Sequence, residues 1–524
     1  SYITNQTGAL NIKKMDNKNK RRRNRRRHQG VEEKASQTSI DFPKVWGVSS
    51  LWTPPLNHNE LTILDDAVKE ILSKTGLSEA PDAAKEIIIQ NGGQLDQDNR
   101  LLFPIDLVSR FLDEVPKGVK LCGREPDFDM ECSGRNSYLG SGGASPNILD
   151  IETQSYRETK LSDIYDAARL VDRMENIHFF SRPMVARDML DEESLDINTA
   201  YACLKGTRKH IMTSITNPHD VSKVAEMCFI IAGSKEAFLE RPFLSLNINH
   251  SVSPLRFDSR SAEVIIEAAR IGIPIQANTF SQVGASTSVS IASAVAQTSA
   301  ETFSGMILAW LVNPNVKVIF GGRPMITDLR TGALSGGGGE QAFAMAYSAQ
   351  LAQYYGLSNS CIAGATDSKL PDSQSGYEKG IGVLMAALAG SNLITQACGT
   401  QASLMGTALE SYLIDNDMAG VVLRSIHKPV FDRQAVCLDV IDRVVRSEGH
   451  FLGDPETYSR MRSDYLYPQI SNRDSIEKWE SEGKKSVYDI AKLRVKEILS
   501  TDDSNYISKD ADKKIRALFE IYLN

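Results

Sequence analysis

The chain has 524 residues, 41% of them hydrophobic and 24% charged, with a formal net charge of −7. That is the profile of an ordinary globular protein, long enough for one large domain with extensions or for two to three smaller ones. It contains no uncharged apolar run of roughly 18 residues and no apolar stretch near its start, which argues against a spanning helix and a secretory signal. The seven cysteines (122, 132, 203, 228, 361, 398, 437) are scattered with no CxxC pair. This implies reduced thiols in a cytoplasm, not a disulfide framework or a zinc ribbon.

The charge is uneven. Residues 1–30 hold ten Lys/Arg against one acid, Asp16, a net +9, so −7 minus 9 leaves −16 on residues 31–524. The basic run "KNKRRRNRRRH" (18–28) has no apolar periodicity. It reads first as a solvated, disordered tail over 1–40, with nucleic acid, an acidic partner or anionic lipid as the alternatives; nucleic acid is disfavoured. Residues 59–73 place Leu61, Leu64, Val68 and Leu72 on one helical face, with Asn59 as the expected cap. Further helices are predicted over 81–91 and 105–114, with a turn and short strand between them. Residues 41–120 are therefore expected to form a mainly helical N-terminal region.

From about 121 to 430 the pattern changes. Eight short apolar runs recur: "NSYLG" (136–140), "IHFFSRP" (177–183), "HIMTSIT" (210–216), "FLSLNIN" (243–249), "IPIQANTF" (273–280), "VKVIFGG" (316–322), "SCIAGA" (360–365) and "NLITQACG" (392–399). Polar or glycine-rich residues follow each run, and then helix-like segments such as 261–271, 340–355 and 376–390. Alternating strands and helices imply a parallel sheet. Eight such units over about 300 residues fit a closed (β/α)8 TIM barrel better than an open sheet, and no GxGxxG follows a strand. Residues 431–524 look helical again and are expected to pack outside the barrel or in an interface.

In such a barrel the chemistry lies at the C-terminal ends of the strands. The residues just past each run are Arg182; Asn217 and His219; Asn249 and His250; Phe280, Ser281 and Gln282; Arg323 and Asp328; Asp367, Lys369, Asp372 and Gln374; Thr400 and Gln401. "AGATDSKLPDSQSGYEKG" (363–380) is the densest of these loops, though turn formers such as "PD" and "DS" serve solubility as well as function. "SGGGGEQ" (335–341) could cradle an anion on its amides, but it lacks the GK[ST] of a phosphate loop. A tightly folded or mobile loop at the mouth is the better reading. No HExxH and no GxSxG are present, and no metal site is expected.

Taken together, "GLSNSCIAGATDSKLPDSQSGYEKG" (356–380), "ALAGSNLITQACG" (387–399), "ESYLIDNDM" (410–418), "GHFLGDPETY" (449–458) and "YLYP" (465–468) resemble the trimethylamine methyltransferase family, over about residues 50–500. The resemblance implies a (β/α)8 barrel, in agreement with the strand count. In methanogen members a pyrrolysine sits at the end of the strand matching 360–365, between AG-x and D-x-K. Here that loop reads Ala363-Gly364-Ala365-Thr366-Asp367-Ser368-Lys369, one residue shorter and with no pyrrolysine. The chain is thus similar to the branch without it, whose members demethylate quaternary amines such as glycine betaine and methylate the Co(I) of a corrinoid (cobalamin) protein. The resemblance implies no tightly bound cofactor, a corrinoid protein as partner, and compatibility with a homo-oligomer.

On that reading Asp367 and Lys369 are the candidate catalytic residues. His250, Phe280, Gln282, Phe320, Arg323, Glu340, Asp372, Gln374 and Tyr377 are the candidate substrate-binding residues. Aromatic faces would hold a cation, two of Tyr138, Phe180, Phe280, Phe320 and Tyr377 being expected to do so. A substrate carboxylate, where there is one, would meet Arg323, Lys369 or His250. Two other functions compete with this one. One is a lyase or aldolase on a small carboxylate with Lys369 as a Schiff-base lysine, which requires burial. The other is a catalytically idle amine-binding member of the family.

Overall fold

A computed structural model describes residues 55–427, 431–447, 449–461, 464–501 and 505–523. The basic tail expected over 1–40, and the first part of the helical region expected over 41–120, lie outside the described residues.

The eight apolar runs become eight parallel strands: β1 (Tyr138–Leu139), β2 (Phe179–Ser181), β3 (His210–Thr213), β4 (Leu244–Asn249), β5 (Ile275–Val283), β6 (Val318–Ile326), β7 (Ser360–Ile362) and β8 (Leu393–Thr395). β2 to β6 pair in sequence as one parallel sheet, and β7, β8 and β1 as another. Two parallel bridges, Gly140 to Phe179 and Phe320 to Asn359, join the sheets and close the barrel. Helices follow each strand: α1 (Leu161–Asp172), α2 (Glu192–Gly206), α3 (Pro218–Ala232), α4 (Ser259–Ile271), α5 (Ile291–Val312), α6 (Gly339–Tyr354), α7 (Ser373–Leu388) and α8 (Leu409–Ile426). This is the (β/α)8 barrel read from the sequence, and among the described residues no helix is long and apolar enough to cross a membrane.

Side chains inside the barrel stack in layers, as successive inward positions of each strand are two residues apart. At the N-terminal end an antiparallel hairpin, Val119–Leu121 with Met130–Cys132, plugs the barrel. Its Val119, Leu121, Met130 and Cys132 pack against inward-facing Phe179, Met212, Ile319 and Leu393. The floor is therefore apolar and closed, and the open end is the one where the strands finish.

The N-terminal helices His58–Glu70, Asp82–Gln90 and Ile105–Glu114 lie close to the segments expected. The cap of the first is Asn57, not Asn59: Asn57 accepts from the Glu60 N–H at 3.0 Å and the Glu60 carboxylate accepts from the Asn57 N–H at 2.7 Å. The reciprocal pair satisfies two end donors that Asn59 would leave bare. These helices cover the outer side of α5, which is buried along most of its length. Phe111 meets Phe303 and Trp310 edge-on at 5.7 and 5.9 Å, and Phe303 meets Phe320 at 5.9 Å. A helix this apolar needs cover on both sides, which the N-terminal helices supply. Beyond α8, the helix Val487–Thr501 packs on α8 and α1, and Lys509–Leu518 packs on α3.

One ion pair is fully internal. Lys379 of α7 donates to Asp415 of α8 at 2.7 Å, and Asp415 also accepts from the Gly399 N–H at 2.9 Å. Asp415→Ala would strand a buried ammonium and is expected to lower stability by about 3–5 kcal/mol. Replacing both partners with Met and Leu should recover most of that loss. Denaturant unfolding of the two variants checks this; a small loss in Asp415→Ala would contradict it.

Candidate functional site

Above the apolar floor the barrel interior turns polar and opens into a cavity of about 130 Å³ at the C-terminal end of the strands. Its walls come from alternate positions of successive strands: Ser181 of β2, Asn247 and Asn249 of β4, Asn278 and Phe280 of β5, Arg323 of β6, Ile362 of β7 and Thr395 of β8. Arg182, Ser214 and Gln396, each just past its strand, join them, with Gly142, Gly143 and Ala144 after β1 and Leu404 after β8. Gly321, on β6 between Ile319 and Arg323, keeps room for Asn278, since a Cβ there would stand 2.1 Å from the Asn278 Oδ1.

Several wall groups have no hydrogen-bond partner among the described residues. They are the Asn247 Oδ1, both amide atoms of Asn278, the Gln396 Oε1 and the Arg323 Nε. Asn247 is held on its other side, its amide donating to the Ser181 hydroxyl at 3.0 Å. Buried polar groups are normally paired, so a cluster of bare ones marks a surface shaped for something else. The backbone is strained at the same place: Ala144, Gln396 and Leu404 all have positive φ, and Ala402 and Ser403 do too. Such conformations cost about 1–3 kcal/mol each and persist where the surroundings enforce them.

The cavity is cationic. Arg323 is 8% exposed. Burial pushes its guanidinium down to about 10, still far above neutrality, so it stays charged. Arg182 is half-buried; burial lowers its pKa too, and the Asp196 carboxylate opposes that from beyond ion-pair distance. Among the described residues no Asp, Glu, His, Lys, Cys or Tyr lines the cavity. Among the described residues no group of three or more His, Cys, Asp or Glu is placed to hold a metal ion.

Of the residues expected from the sequence, Phe280 and Arg323 line this cavity. His250 and Phe320 do not: each is one residue out of step with the inward positions and faces the helices. His250 is buried over Gly305, its Nε2 2.8 Å from the Glu301 carbonyl. Of the other aromatics, Phe180 is core, Tyr138 stacks edge-on with His178 at 5.5 Å, and Tyr377 is exposed. Gln282 closes a turn, its N–H donating to the Ser286 hydroxyl at 2.8 Å. Arg182 and Asn249 were visible as strand-end residues. Asn247 and Asn278 were hidden inside the apolar runs, where the only signal was their two-residue spacing, and Gln396, which directly follows inward Thr395, carried no such signal.

The polar loop 363–380 is used to tie other loops down. The Asp367 carboxylate accepts from the N–H groups of Gly336 (2.8 Å) and Gly337 (3.2 Å) and from the hydroxyls of Ser335 (3.3 Å) and Ser403 (2.7 Å). It thereby joins the loops after β6, β7 and β8. Glu378 holds the loop from behind, accepting from the Thr366 hydroxyl, the Asp367 N–H and the Gln374 amide. Asp372 caps α7, accepting from the Ser375 N–H at 3.0 Å. Lys369 is exposed, its Nζ donating to the Asp367 carbonyl at 2.7 Å, and Glu340 is exposed on the first turn of α6. The glycine loop is tightly folded, and its amides cradle the chain's own carboxylate. No lysine lines the cavity, so the burial that a Schiff-base lysine needs is not offered there.

The family model for trimethylamine methyltransferase (MTTB) matches residues 19–520. The chain belongs to this family. It is 28% identical to trimethylamine methyltransferase MttB of Desulfitobacterium hafniense (strain DSM 10664 / DCB-2), over 88% of this chain and 91% of that one. It is 27% identical to the glycine betaine methyltransferase of Desulfitobacterium hafniense (strain Y51), over 89% of this chain and 96% of that one. The MttB of Methanosarcina thermophila matches at 28% over 88% and 95%. Among solved structures, the dihydropteroate synthase of Xanthomonas albilineans aligns over 59% of this chain and 100% of its own, at 12% identity and a TM-score of 0.37. The chain is a methyltransferase of this family, built on the barrel that its strand pairing defines.

Two outcomes follow. Asp367→Asn should weaken the tie between the three loops, a charge-assisted bond contributing about 1.5–3 kcal/mol. Amide hydrogen exchange over 335–338 and 402–405 should then speed up by roughly 10–100-fold, while β5 and β6 stay protected; unchanged exchange would contradict the clamp. Second, burial pushes the imidazoles of His210 and His250 down to about 4. The unfolded chain binds those protons near pH 6.5, so their contribution to stability falls as pH drops from 6.5 towards 4, by up to about 3 kcal/mol each. Melting temperature followed from pH 7 to 5 should decline, and a flat profile would show that these imidazoles are not held neutral.

Proposed function

We propose that this protein transfers a methyl group from a quaternary amine, glycine betaine or a close analogue, to the Co(I) of a corrinoid carried by a partner protein. The observation that carries the reading is the makeup of the cavity wall, where the only ionisable side chains among the described residues are arginines. Methyl transfer from a quaternary ammonium needs no proton. The C–N bond breaks, its electron pair stays on nitrogen, and the Co(I) electron pair forms the new methyl–cobalt bond. A neutral tertiary amine leaves. What the protein must provide is alignment of the methyl with the acceptor and exclusion of water.

Two further features support it. The cavity holds the volume of about four water molecules, which suits a compact donor. The loops that follow the strands carry exposed apolar side chains, Leu190 after β2, Val252 after β4, Val289 after β5, Leu329 after β6, Leu370 after β7 and Met405 after β8. Exposed apolar loop tips at the strand C-terminal end suit contact with another protein that brings the corrinoid. The curated relative that acts on glycine betaine matches along nearly its whole length, and the shortened loop at 363–369 carries no pyrrolysine. The reading places the enzyme in a reducing cytoplasm, where its free cysteines stay thiols.

The test is to mix the protein with glycine betaine and Co(I) cobalamin, or a reduced corrinoid protein, and follow the visible spectrum. Loss of the Co(I) band, gain of methyl-Co(III) and formation of dimethylglycine in equal amount are expected. Methyl transfer from trimethylamine and from no quaternary amine would overturn the proposal.

A further inference from the structure

The cavity carries positive charge that nothing among the described residues neutralises at contact distance. Neither guanidinium, Arg323 on β6 or Arg182 after β2, makes an ion pair, and the Arg323 Nε has no partner at all. A buried cation normally keeps a carboxylate beside it, because removing it from water unpaired is expensive. Asp196, the acid that acts on Arg182, is itself taken up by the N–H groups of Thr216 (2.6 Å) and Asn217 (3.4 Å). The loop carboxylates are engaged elsewhere, Asp367 with the glycine loop and Glu378 behind it. The walls also offer one aromatic face, Phe280, and no acid, which is a poor cage for a bare cation.

We propose that Arg182 and Arg323 form an anion subsite, so that the donor must carry a carboxylate, which these two guanidiniums hold, and amines without an anionic group are rejected. This rests on the reading of the cavity as the methyl-donor site. Arginine suits the task because its planar fork matches a carboxylate and stays charged when buried. The unpartnered amide atoms of Asn278 and the Gln396 Oε1 supply further polar contacts to the same molecule. The subsite also acts on the reaction. The donor's nitrogen loses its positive charge in the transfer, so fixed cations in the same small cavity repel the bound ammonium and relax as the neutral amine forms. Arg182 and Arg323 are thereby specificity residues with an effect on rate as well as on binding.

The experiment compares four small molecules by calorimetry on the full-length protein: glycine betaine, 3,3-dimethylbutanoate (the same shape with carbon in place of the ammonium nitrogen), choline and trimethylamine. Both carboxylates should bind and choline and trimethylamine should not. Arg323→Gln and Arg182→Gln should each weaken both carboxylates by about 10–100-fold, the strength of a charge-assisted hydrogen bond. Unchanged melting and circular dichroism would show that the variants fold, and Arg323→Lys, which keeps the charge and loses the fork, should fall between. In the methylation assay the arginine variants should show a lower kcat as well as a higher KM. Choline or trimethylamine binding as well as glycine betaine, no binding of either carboxylate, or folded Gln variants with full affinity would each overturn the subsite. The failure of the quaternary amine reading looks different: 3,3-dimethylbutanoate binds and depends on both arginines, yet no quaternary donor methylates Co(I).

Discussion

Strand parity in a closed parallel barrel decides most of this molecule. With helices outside and a narrow axis inside, each strand residue faces one or the other, and a step of one residue exchanges them. On β4, Leu244, Leu246 and Ile248 face the helices, while Ser245, Asn247 and Asn249 face the axis. On β5 the inward set is Gln276, Asn278 and Phe280. The lower inward positions meet the hairpin plug and are mainly apolar. The upper ones are amides, hydroxyls and Arg323. Bringing those polar groups into a barrel is unfavourable unless something pairs with them. The chain leaves several unpaired, so the cavity is where folding and function make opposed demands on the same residues.

Parity also explains how far the sequence could be read. The strands were legible because a strand covered on both sides is a short apolar run bounded by glycine and polar residues. The helices that follow were legible from their length and composition. The site was legible only in part. Looking past the end of each run finds Asn249, Phe280 and Arg323, whose places also fall inward, and Arg182, which is out of step with inward Phe179 and Ser181 and lines the cavity from beyond its strand. The same rule selects His250, and the neighbouring aromatic Phe320, without asking which way they face. It misses Asn247, Asn278 and Gln396, which lie within the runs. Counting two-residue spacings of polar residues through "LSLNIN" and "IQANTF" recovers Asn247 and Asn278 and selects the face that lines the cavity, but it does not reach Gln396.

The polar density of residues 363–380 has a mechanical cause. Asp367 binds the loops on either side of its own, and Glu378 fixes Asp367 from behind. The left-handed run Ala402-Ser403-Leu404 stays in place because the N–H of Ala402 donates to the Ser368 carbonyl at 2.7 Å and that of Ser403 to the Thr366 carbonyl at 2.9 Å. Beneath them the Lys379–Asp415 pair joins α7, α8 and Gly399. One side of the mouth is thus rigid, and Leu404 is set into the cavity wall by bonds made to a neighbouring loop. Rigid walls matter for a transfer whose only geometric need is alignment.

This arrangement also fixes where charge can be recognised. The amides of Gly336 and Gly337 form the sort of anion cradle that a glycine-rich loop offers, but an internal carboxylate already fills it. The remaining cationic groups that face the cavity are the two arginines. A donor that is itself cationic would meet them without compensation, and at the effective dielectric near a protein surface two unit charges 4 Å apart repel by about 4 kcal/mol. A zwitterion offsets part of this penalty by presenting its carboxylate to the guanidiniums. Charge therefore favours a donor that places an anion at the arginines.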